Sequence, residues 1–288
     1  MSATSLTWGG RSIPGPGGLP AVAVSLTGPS LAQARTQARS AVVAGADVLE
    51  LRVDLLEEAG ALAAPDPLDV ATAAAQVLEC LRGLGEAIAA DGADAGAPVL
   101  LTCRTTAEGG RAQLDDASYG ALLRSVLDGL TDWAPERRPA AIDVEVQRGC
   151  LPQVCEQAHG LGIDVVASFH DFETTPADEV LEEVLARMAR EGADLAKIAV
   201  WPTSAQDVAR LLGVCARATA DAGERSGLGV PVAAMSMGAL GAVSRVAPAF
   251  GSALTFAVVP DEQGQARASA PGQLPLQDVR RCLELLRA

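Results

Sequence analysis

The chain has 288 residues, of which 49% are hydrophobic and only 3% aromatic, so aliphatic side chains must build most of its core. Its formal net charge is −14 at pH 7. Such an acidic surface repels phosphate backbones and anionic membranes, so we expect neither nucleic-acid nor membrane partners. The length suits one α/β barrel, and we predict a single domain over residues 1–288.

The first 20 residues form a Gly/Pro-rich extension without the basic and apolar regions of a secretory leader. Two short runs on either side of Gly9-Gly10 predict a hairpin that closes the bottom of a barrel. From residue 21 onward, eight short apolar segments predict β-strands. They cover residues 21–26, 48–53, 99–104, 141–146, 164–170, 195–200, 232–236 and 254–259.

Helical patterns alternate with these strands, and several open with Ser, Thr or Pro, as helix starts do. Eight strands, each followed by a helix, predict a closed parallel (β/α)8 barrel. A doubly wound open sheet is the alternative, but the glycine cluster at residues 15–18 precedes the first strand, whereas a dinucleotide loop would follow it. The helices are predicted to start near Ser30, Pro67, Ser118, Pro152, Pro176, Ser204, Ala239 and Leu276.

The six cysteines are scattered without a Cys-x-x-Cys pair, and the chain has only two histidines. We therefore expect reduced thiols in a cytoplasmic protein, with neither a disulfide framework nor a metal site.

Several predicted strands carry polar side chains on one face, although strands buried on both faces should read as continuous apolar runs. In a barrel this face is the lumen, and active sites lie at its C-terminal mouth. A structural ion-pair network is the alternative, which we rank lower because burying each ion costs several kcal/mol unless it is well paired. The polar positions are Glu50, Arg52, Thr102, Arg104, Asp143, Glu145, Ser168, His170 and Lys197.

Lys197 is the one lysine among 22 cationic side chains. Only a primary amine can lose its proton near neutral pH and condense with a carbonyl, which arginine cannot do. Composition bias explains a lone lysine equally well, so its position has to decide. Lys197 lies in the middle of the sixth strand, about 4.8 Å across from the strand that carries His170. We therefore predict a Schiff-base lysine with His170 as its acid–base partner.

Three further features lie near the predicted mouth. The tight turn at Gly109-Gly110 could bring Glu108 to the mouth, and Met235, at the end of the seventh strand, could form a wall for a small ligand. Arg245 would bind a carboxylate in bidentate geometry, with a surface ion pair as the alternative.

Together these segments resemble type I 3-dehydroquinate dehydratase, the Schiff-base enzyme family of the shikimate pathway. The matching stretches run in family order along most of the chain. They are Glu50-Leu51-Arg52-Val53-Asp54, Thr102-Cys103-Arg104, Glu108-Gly109-Gly110, Ser168-Phe169-His170-Asp171-Phe172, Lys197-Ile198-Ala199-Val200, Met235-Ser236-Met237-Gly238, Ser244-Arg245, Phe250-Gly251-Ser252 and Ser269-Ala270-Pro271-Gly272-Gln273.

The resemblance implies a (β/α)8 barrel that is often dimeric and needs no cofactor or metal. It also implies a role for each matching position. Lys197 would form the Schiff base, His170 would donate and accept the proton, and Glu108 would orient His170. The substrate-binding positions would be Ser25, Glu50, Arg52, Arg104, Met235, Arg245, Ser269 and Gln273, of which Arg245 would hold the carboxylate.

The resemblance further implies the conversion of 3-dehydroquinate to 3-dehydroshikimate and water. Residues 260–267 look like an insertion before the loop at residues 269–273 and could alter its closure. Two other functions stay open. A class I aldolase would need a phosphate site at the seventh and eighth loops, where residues 238–241 could imitate one, and a ring-acid sensor would normally have lost the lysine or the histidine.

Overall fold

In a computed structural model, the structure describes residues 5–63, 69–90, 97–220, 227–260 and 266–287. A small antiparallel hairpin precedes a sheet of parallel strands. The hairpin strands are β1 (Leu6–Trp8) and β2 (Arg11–Ile13). The strands of the sheet are β3 (Ala21–Leu26), β4 (Val48–Arg52), β5 (Val99–Thr102), β6 (Ala141–Glu145), β7 (Asp164–Asp171), β8 (Leu195–Val200), β9 (Val232–Ser236), β10 (Leu254–Val258) and β11 (Leu274–Pro275).

The helices pack outside this sheet and begin where local capping chemistry favours them. Ser30 accepts a hydrogen bond from the Gln33 amide at the start of the first helix, and Ser204 forms a capping box with Asp207 at the sixth. The helices are α1 (Leu31–Val43), α2 (Val70–Ala90), α3 (Asp116–Gly129), α4 (Leu151–Gly160), α5 (Asp178–Arg190), α6 (Ala205–Thr219) and α7 (Leu276–Leu285).

The parallel strands form a (β/α)8 barrel, as predicted. Hydrogen-bonded neighbours run in the order β10, β3, β4, β5, β6, β7, β8 and β9. The ring closes where the amide of Ala253, just before β10, donates to the carbonyl of Val232 in β9 at 2.7 Å. Toward the mouth, β11 pairs with the edge of β10 that β3 does not use. The segment that carries β11 therefore lies between β9 and β10, where the ring of strands closes.

The hairpin closes the bottom of the barrel, as predicted. Trp8 and Ile13 are buried among apolar side chains from the first residues of the barrel strands, such as Val48 and Leu195. The Trp8 indole donates a hydrogen bond to Asp164 at 2.8 Å. With this end filled, the polar lumen opens only toward the C-terminal ends of the strands.

The structure corrects three details of the predicted elements. The predicted helix near Ala239 is replaced by two 3₁₀ turns, Ala242–Val246 and Pro248–Phe250, because Pro248 cannot donate to a continuing α-helix. The predicted second, third, fourth and eighth strands end one or two residues early, where 3₁₀ turns or loops begin, and the fifth extends one residue further, to Asp171. The strand β11 was not predicted, since two residues carry no periodic signal.

Two predicted features fall largely outside the described residues. The predicted start of α2 at Pro67 lies in the gap before Asp69, and the helix is described from Val70. Most of the insertion at 260–267 also lies outside, apart from its ends, where Pro260 and Ala266 form an isolated antiparallel bridge. Across the ranges that the structure covers, no helix combines the length and apolarity needed to cross a bilayer.

Candidate active site

The polar faces predicted from strand alternation meet in the lumen. Lys197 on β8 pairs in register with Ser168 on β7, while His170 pairs with Ala199, one step closer to the mouth. The predicted neighbour strands are therefore correct, but Ser168 is the residue directly opposite the lysine. Because alternate residues share a face, Lys197, Ser168 and His170 all point inward at successive depths.

Lys197 is buried, with only 4% of its surface exposed. Its Nζ lies 3.3 Å from Oδ2 of Asp143 and 3.8 Å from Oε1 of Glu50. It also lies 4.6 Å from the centre of the Phe256 ring, within cation–π range. The amine is thus held between two carboxylates and above one aromatic face.

Arg104 links the acids of the lumen. Its two terminal nitrogens contact three carboxylates, those of Asp143 at 2.8 Å, Glu145 at 3.3 Å and Glu108 at 3.4 Å. One of them also donates to the Ser168 hydroxyl at 2.8 Å. A planar guanidinium suits this task because its donors diverge in fixed directions. Arg104 therefore fixes the positions of several acids around the lysine.

Glu108 and His170 form a close pair at the mouth. Oε2 of Glu108 lies 2.8 Å from Nδ1 of the imidazole, and no described atom bonds the other oxygen of Glu108. Burial raises the pKa of Glu108 to about 8, against the opposing Arg104 charge. Burial and the charges of Arg104 and Lys197 hold the pKa of His170 well below its usual value. The pair therefore keeps one proton near neutral pH, and the neutral imidazole can act as a base.

A tight turn delivers Glu108 to this position. The residue ends a 3₁₀ turn, Thr106–Glu108, and Gly109 follows with a positive φ of 78°. At Gly110 a β-carbon would lie 2.1 Å from the carbonyl oxygen of Arg104, so only glycine fits. The two glycines bring Glu108 within reach of His170, 62 residues along the chain.

Residues 269–273 cover the mouth and bond to the first strands of the barrel. The Ser269 hydroxyl donates to Ser25 at 2.8 Å, and Ser25 in turn bonds Glu50. Gln273 accepts from the Ser269 amide at 2.9 Å and donates to its hydroxyl at 3.0 Å. This loop is thereby joined to the same carboxylate that faces Lys197.

Arg245 is a buried cation without a described acid partner. Its side chain donates to the Pro271 carbonyl at 3.1 Å and lies 3.6 Å from the Met235 sulfur, while its Nε has no described partner. Burial lowers its pKa to about 10. Ser244 holds the turn beside it by donating to the Gly241 carbonyl at 2.7 Å. An anion entering the lumen would meet an uncompensated charge here.

Arg52 is paired within its own segment. Its guanidinium donates two parallel hydrogen bonds to Asp54, at 2.8 and 2.7 Å. Asp54 also accepts from the Arg104 and Arg111 amides at 3.2 Å. This network ties the end of β4 to the loop that carries Glu108.

These side chains enclose a cavity of about 40 Å³, room for only a few water molecules. Ten of the eleven predicted site residues line it, and Ser25 lies just behind them through Ser269. The predicted lining residues are Glu50, Arg52, Arg104, Glu108, His170, Lys197, Met235, Arg245, Ser269 and Gln273.

A larger groove of about 1070 Å³ lies at the opposite end of the barrel, between α2 and the chain before β6. Arg82 stacks over Trp133 there, 5.2 Å from the ring centre. The groove contains neither the lysine nor His170, so we place the chemistry at the smaller cavity.

Four residues that contact the predicted site were not predicted to belong to it. Asp143 and Ser168 were recognised only as polar strand positions, because their contacts depend on the register between β6, β7 and β8. Phe256 gave no signal, since an aromatic residue in an apolar strand is indistinguishable from core. Thr102 likewise donates to Glu50 from the lumen face of β5, at 3.1 Å.

The fold and the site define a barrel enzyme whose lumen surrounds one buried amine. In the part of the chain that the structure describes, no group of three or more acidic, histidine or cysteine side chains could hold a metal ion. The model of the family "Type I 3-dehydroquinase" matches residues 22–288. The chain is 36% identical to the 3-dehydroquinate dehydratase of Klebsiella pneumoniae over 269 residues, 92% of either chain.

Two solved structures are similar over nearly the whole chain. The 3-dehydroquinate dehydratase of Geobacillus kaustophilus aligns with a TM-score of 0.80 and 29% identity, covering 99% of this chain and 97% of its own. The type I enzyme of Clostridium difficile gives the same TM-score at 28% identity, covering 99% of both chains. The chain belongs to the type I 3-dehydroquinase family. The enzyme class expected from its motifs, a lyase of the shikimate pathway, follows from that membership.

Proposed function

We propose that this chain removes water from 3-dehydroquinate to give 3-dehydroshikimate through a Schiff base at Lys197. The observation that carries the proposal is the position of the only side-chain amine, buried in the lumen below the Glu108–His170 pair. The C. difficile relative was solved with covalently modified comenic acid, which supports a covalent route for this family.

In this mechanism Lys197 condenses with the ring ketone, and the protonated imine draws electrons from the neighbouring C–H bond. His170 removes that proton as the neutral base and returns it to the departing hydroxyl, so water leaves. Glu108 fixes the imidazole through the 2.8 Å contact, in which Nδ1–H donates to Oε2 in the tautomer that the mechanism requires. Nε2 then carries no hydrogen and can act as the base toward the substrate. Hydrolysis of the imine then releases the enone product.

The remaining residues bind the ring. Arg245, which has no described acid partner, takes the substrate carboxylate, and Met235 forms the adjacent wall. Lumen positions take the ring hydroxyls, and the loop at 269–273 closes above them with Ser25 as its anchor. The residues proposed to bind hydroxyls are Glu50, Arg52 and Arg104, with Ser269 and Gln273 from the loop.

We propose further that the whole chain acts as one domain, in a cytoplasmic homodimer without nucleic-acid partners. The six cysteines are all free thiols, which fits a reducing compartment. The hairpin is bound to the barrel through Trp8 and Asp164, which supports one domain. The dimer rests on family resemblance, and light scattering on the purified protein tests it.

Borohydride trapping tests the mechanism. With 3-dehydroquinate present, reduction should convert the imine to a stable secondary amine on the peptide that contains Lys197. The expected mass gain is that of the substrate, or of the dehydrated product, less one oxygen. An active protein that yields no such adduct would contradict the Schiff base.

The two histidines provide a matched pair of variants. His170→Ala should still form the adduct but lose roughly 10²–10⁴-fold in kcat, the usual contribution of a positioned acid–base group. His159→Ala should keep wild-type turnover, because this side chain lies on the surface beside Asp194. Wild-type turnover in His170→Ala would remove His170 from the reaction.

A further inference from the structure

Asp143 is the acid nearest to the reacting nitrogen, and its carboxylate is held in one orientation. The side chain has no exposed surface. Oδ1 accepts hydrogen bonds from Arg104 at 2.8 Å and from Ser168 at 2.7 Å, while Oδ2 faces Lys197 Nζ at 3.3 Å. One oxygen therefore fixes the carboxylate, and the other is directed at the lysine.

The other carboxylate near the amine is less available. Glu50 lies farther from Nζ, at 3.8 Å, and its two oxygens already accept from Ser25 and Thr102. Phe256 offers only the face of its ring. Asp143 is thus the group best placed to balance a positive charge on this nitrogen.

Condensation with a ketone leaves a positive charge on that nitrogen. Starting from the ammonium form, the nitrogen first passes one proton to the carbonyl oxygen, and its freed lone pair forms the bond to carbon. A second hydrogen then follows to the same oxygen, which leaves as water. The third hydrogen stays on the nitrogen as the iminium N–H. A cation confined to a buried site is unfavourable unless an anion lies close to it.

We propose that Asp143 is the positioning residue and counterion of the Lys197 iminium, and this assignment rests on the Schiff-base function proposed above. The Asp143 carboxylate orients the amine before condensation and accepts the iminium N–H afterwards. It does not line the cavity, so it acts through Lys197 and not by contact with the substrate. Although burial opposes ionisation, the charges of Arg104 and Lys197 keep the pKa of Asp143 below its ordinary value, which supports an anion in this position.

Other charged groups lie around the nitrogen on neighbouring strands and loops, and their charges also affect how readily the iminium loses its proton. Within 4 Å of Nζ, the described charges are the carboxylates of Asp143 and Glu50. Removing Asp143 alone should therefore change the affinity of the imine for its proton. The other titratable and charged side chains in and around the lumen are Arg52, Asp54, Arg104, Glu108, Glu145, His170 and Arg245.

The test compares Asp143→Asn with the wild-type protein by steady-state kinetics and by cyanoborohydride trapping with 3-dehydroquinate across pH. Cyanoborohydride reduces the protonated imine, so trapping declines above the pH at which the imine loses its proton. Asp143→Asn should lower kcat about 10²-fold with little change in KM, as when one preorganised electrostatic group is removed. The midpoint of trapping should move down by about one to three pH units, the effect expected of a nearby charge.

Asp164→Asn is the matched control, because Asp164 lies on a barrel strand but at the bottom, where it binds Trp8. It should keep wild-type kcat and the wild-type trapping midpoint. An unchanged midpoint in a folded Asp143→Asn variant would overturn the counterion, even if kcat fell. A rise in KM with unchanged kcat would also overturn it, since that result would indicate substrate binding.

Asp143→Ala provides a second measurement if the asparagine variant folds poorly. Formate, which restores a carboxylate, should raise the turnover of this variant, whereas the isosteric but neutral formamide should not. Equal rescue by the two compounds would overturn the role of charge. Failure to trap an adduct in the active wild-type protein would instead contradict the Schiff base itself.

Discussion

The cations of the lumen differ in how many acids they contact. Arg104 contacts three carboxylates, Lys197 contacts two, and Arg245 contacts none among the described residues. Buried charges with several partners hold their geometry, whereas an unpaired charge is available to a ligand. The contacts of Arg104 and Lys197 therefore fix the geometry of the lumen, whereas Arg245 has no described acid partner and can pair with an anion.

At the residue scale, the proton of the Glu108–His170 pair has a measurable effect on stability. In the unfolded chain, glutamate and histidine titrate near 4.5 and 6.5, whereas folding raises the pKa of Glu108 to about 8 and lowers that of His170. Between pH 6.5 and 8 the folded pair therefore holds a proton that the unfolded chain has released. Stability from this pair is present below that window and is lost as pH rises through it.

We therefore expect the free energy of unfolding to fall by about 1 kcal/mol from pH 6.5 to 8 on account of this pair. Glu108→Gln should abolish that part of the slope, because the amide does not titrate. Urea unfolding of the two proteins at both pH values measures the difference. Glu79→Gln, an exposed change on α2, should keep the wild-type slope, and a wild-type slope in Glu108→Gln would show that the proton resides elsewhere.

At the element scale, the loop at 269–273 is closed over a cavity too small for a ring acid. Sites for small molecules measure roughly 300–1,000 Å³, far more than the 40 Å³ enclosed here. The loop must therefore move before the substrate enters. Gly272 packs tightly against the loop after β9, with a positive φ of 80° and the carbonyl oxygen of Gly238 only 2.2 Å from where a β-carbon would lie.

Gly272→Ala should keep the loop from seating, because the added methyl group would overlap the Gly238 backbone. We expect KM to rise roughly tenfold or more, since Ser269 and Gln273 would lose hydrogen bonds worth about 1.5 kcal/mol. Gly162→Ala is the matched control, with a similar positive φ but nothing within 4 Å of the new β-carbon. Steady-state kinetics of both variants measure KM for 3-dehydroquinate. Equal KM values would indicate that backbone strain alone, and not the overlap with Gly238, is responsible.

The strands and their contacts also show how much of the structure could be predicted from the sequence. Strands 21–26, 195–200 and 232–236 were predicted to the residue, because β-type apolar runs between turn residues define them. The polar lumen face was also visible as alternation. The contact between Lys197 and Asp143 could not be predicted, because it depends on which residues of the barrel strands lie at the same level. This register between strands is a tertiary property.

At the scale of the whole molecule, the hairpin core and the proposed site lie at opposite ends of the barrel, so we expect stability and turnover to be separable. Trp8→Ala should destabilise the protein by about 3–5 kcal/mol, the usual result of deleting a large buried side chain. KM for 3-dehydroquinate should stay close to wild type, since Trp8 lies at the opposite end. Urea unfolding and kinetics on the same preparation check both effects.

The control is Val43→Ala, at a position 90% exposed, which should change stability by less than about 0.5 kcal/mol. A large rise in KM for Trp8→Ala in the folded protein would show that the two ends of the barrel are coupled.

Arg245 also bears on how such a chain can change through evolution. Its charge is buried with no acid partner among the described residues, so an apolar residue of similar shape would suit the fold better. Substitutions that remove this charge would therefore tend to stabilise the fold, and under the binding role proposed for Arg245 it is selection for the ligand that retains it. A relative that had lost the activity but kept the barrel would be expected to lose this arginine early, well before the buried acids that are tied to Arg104.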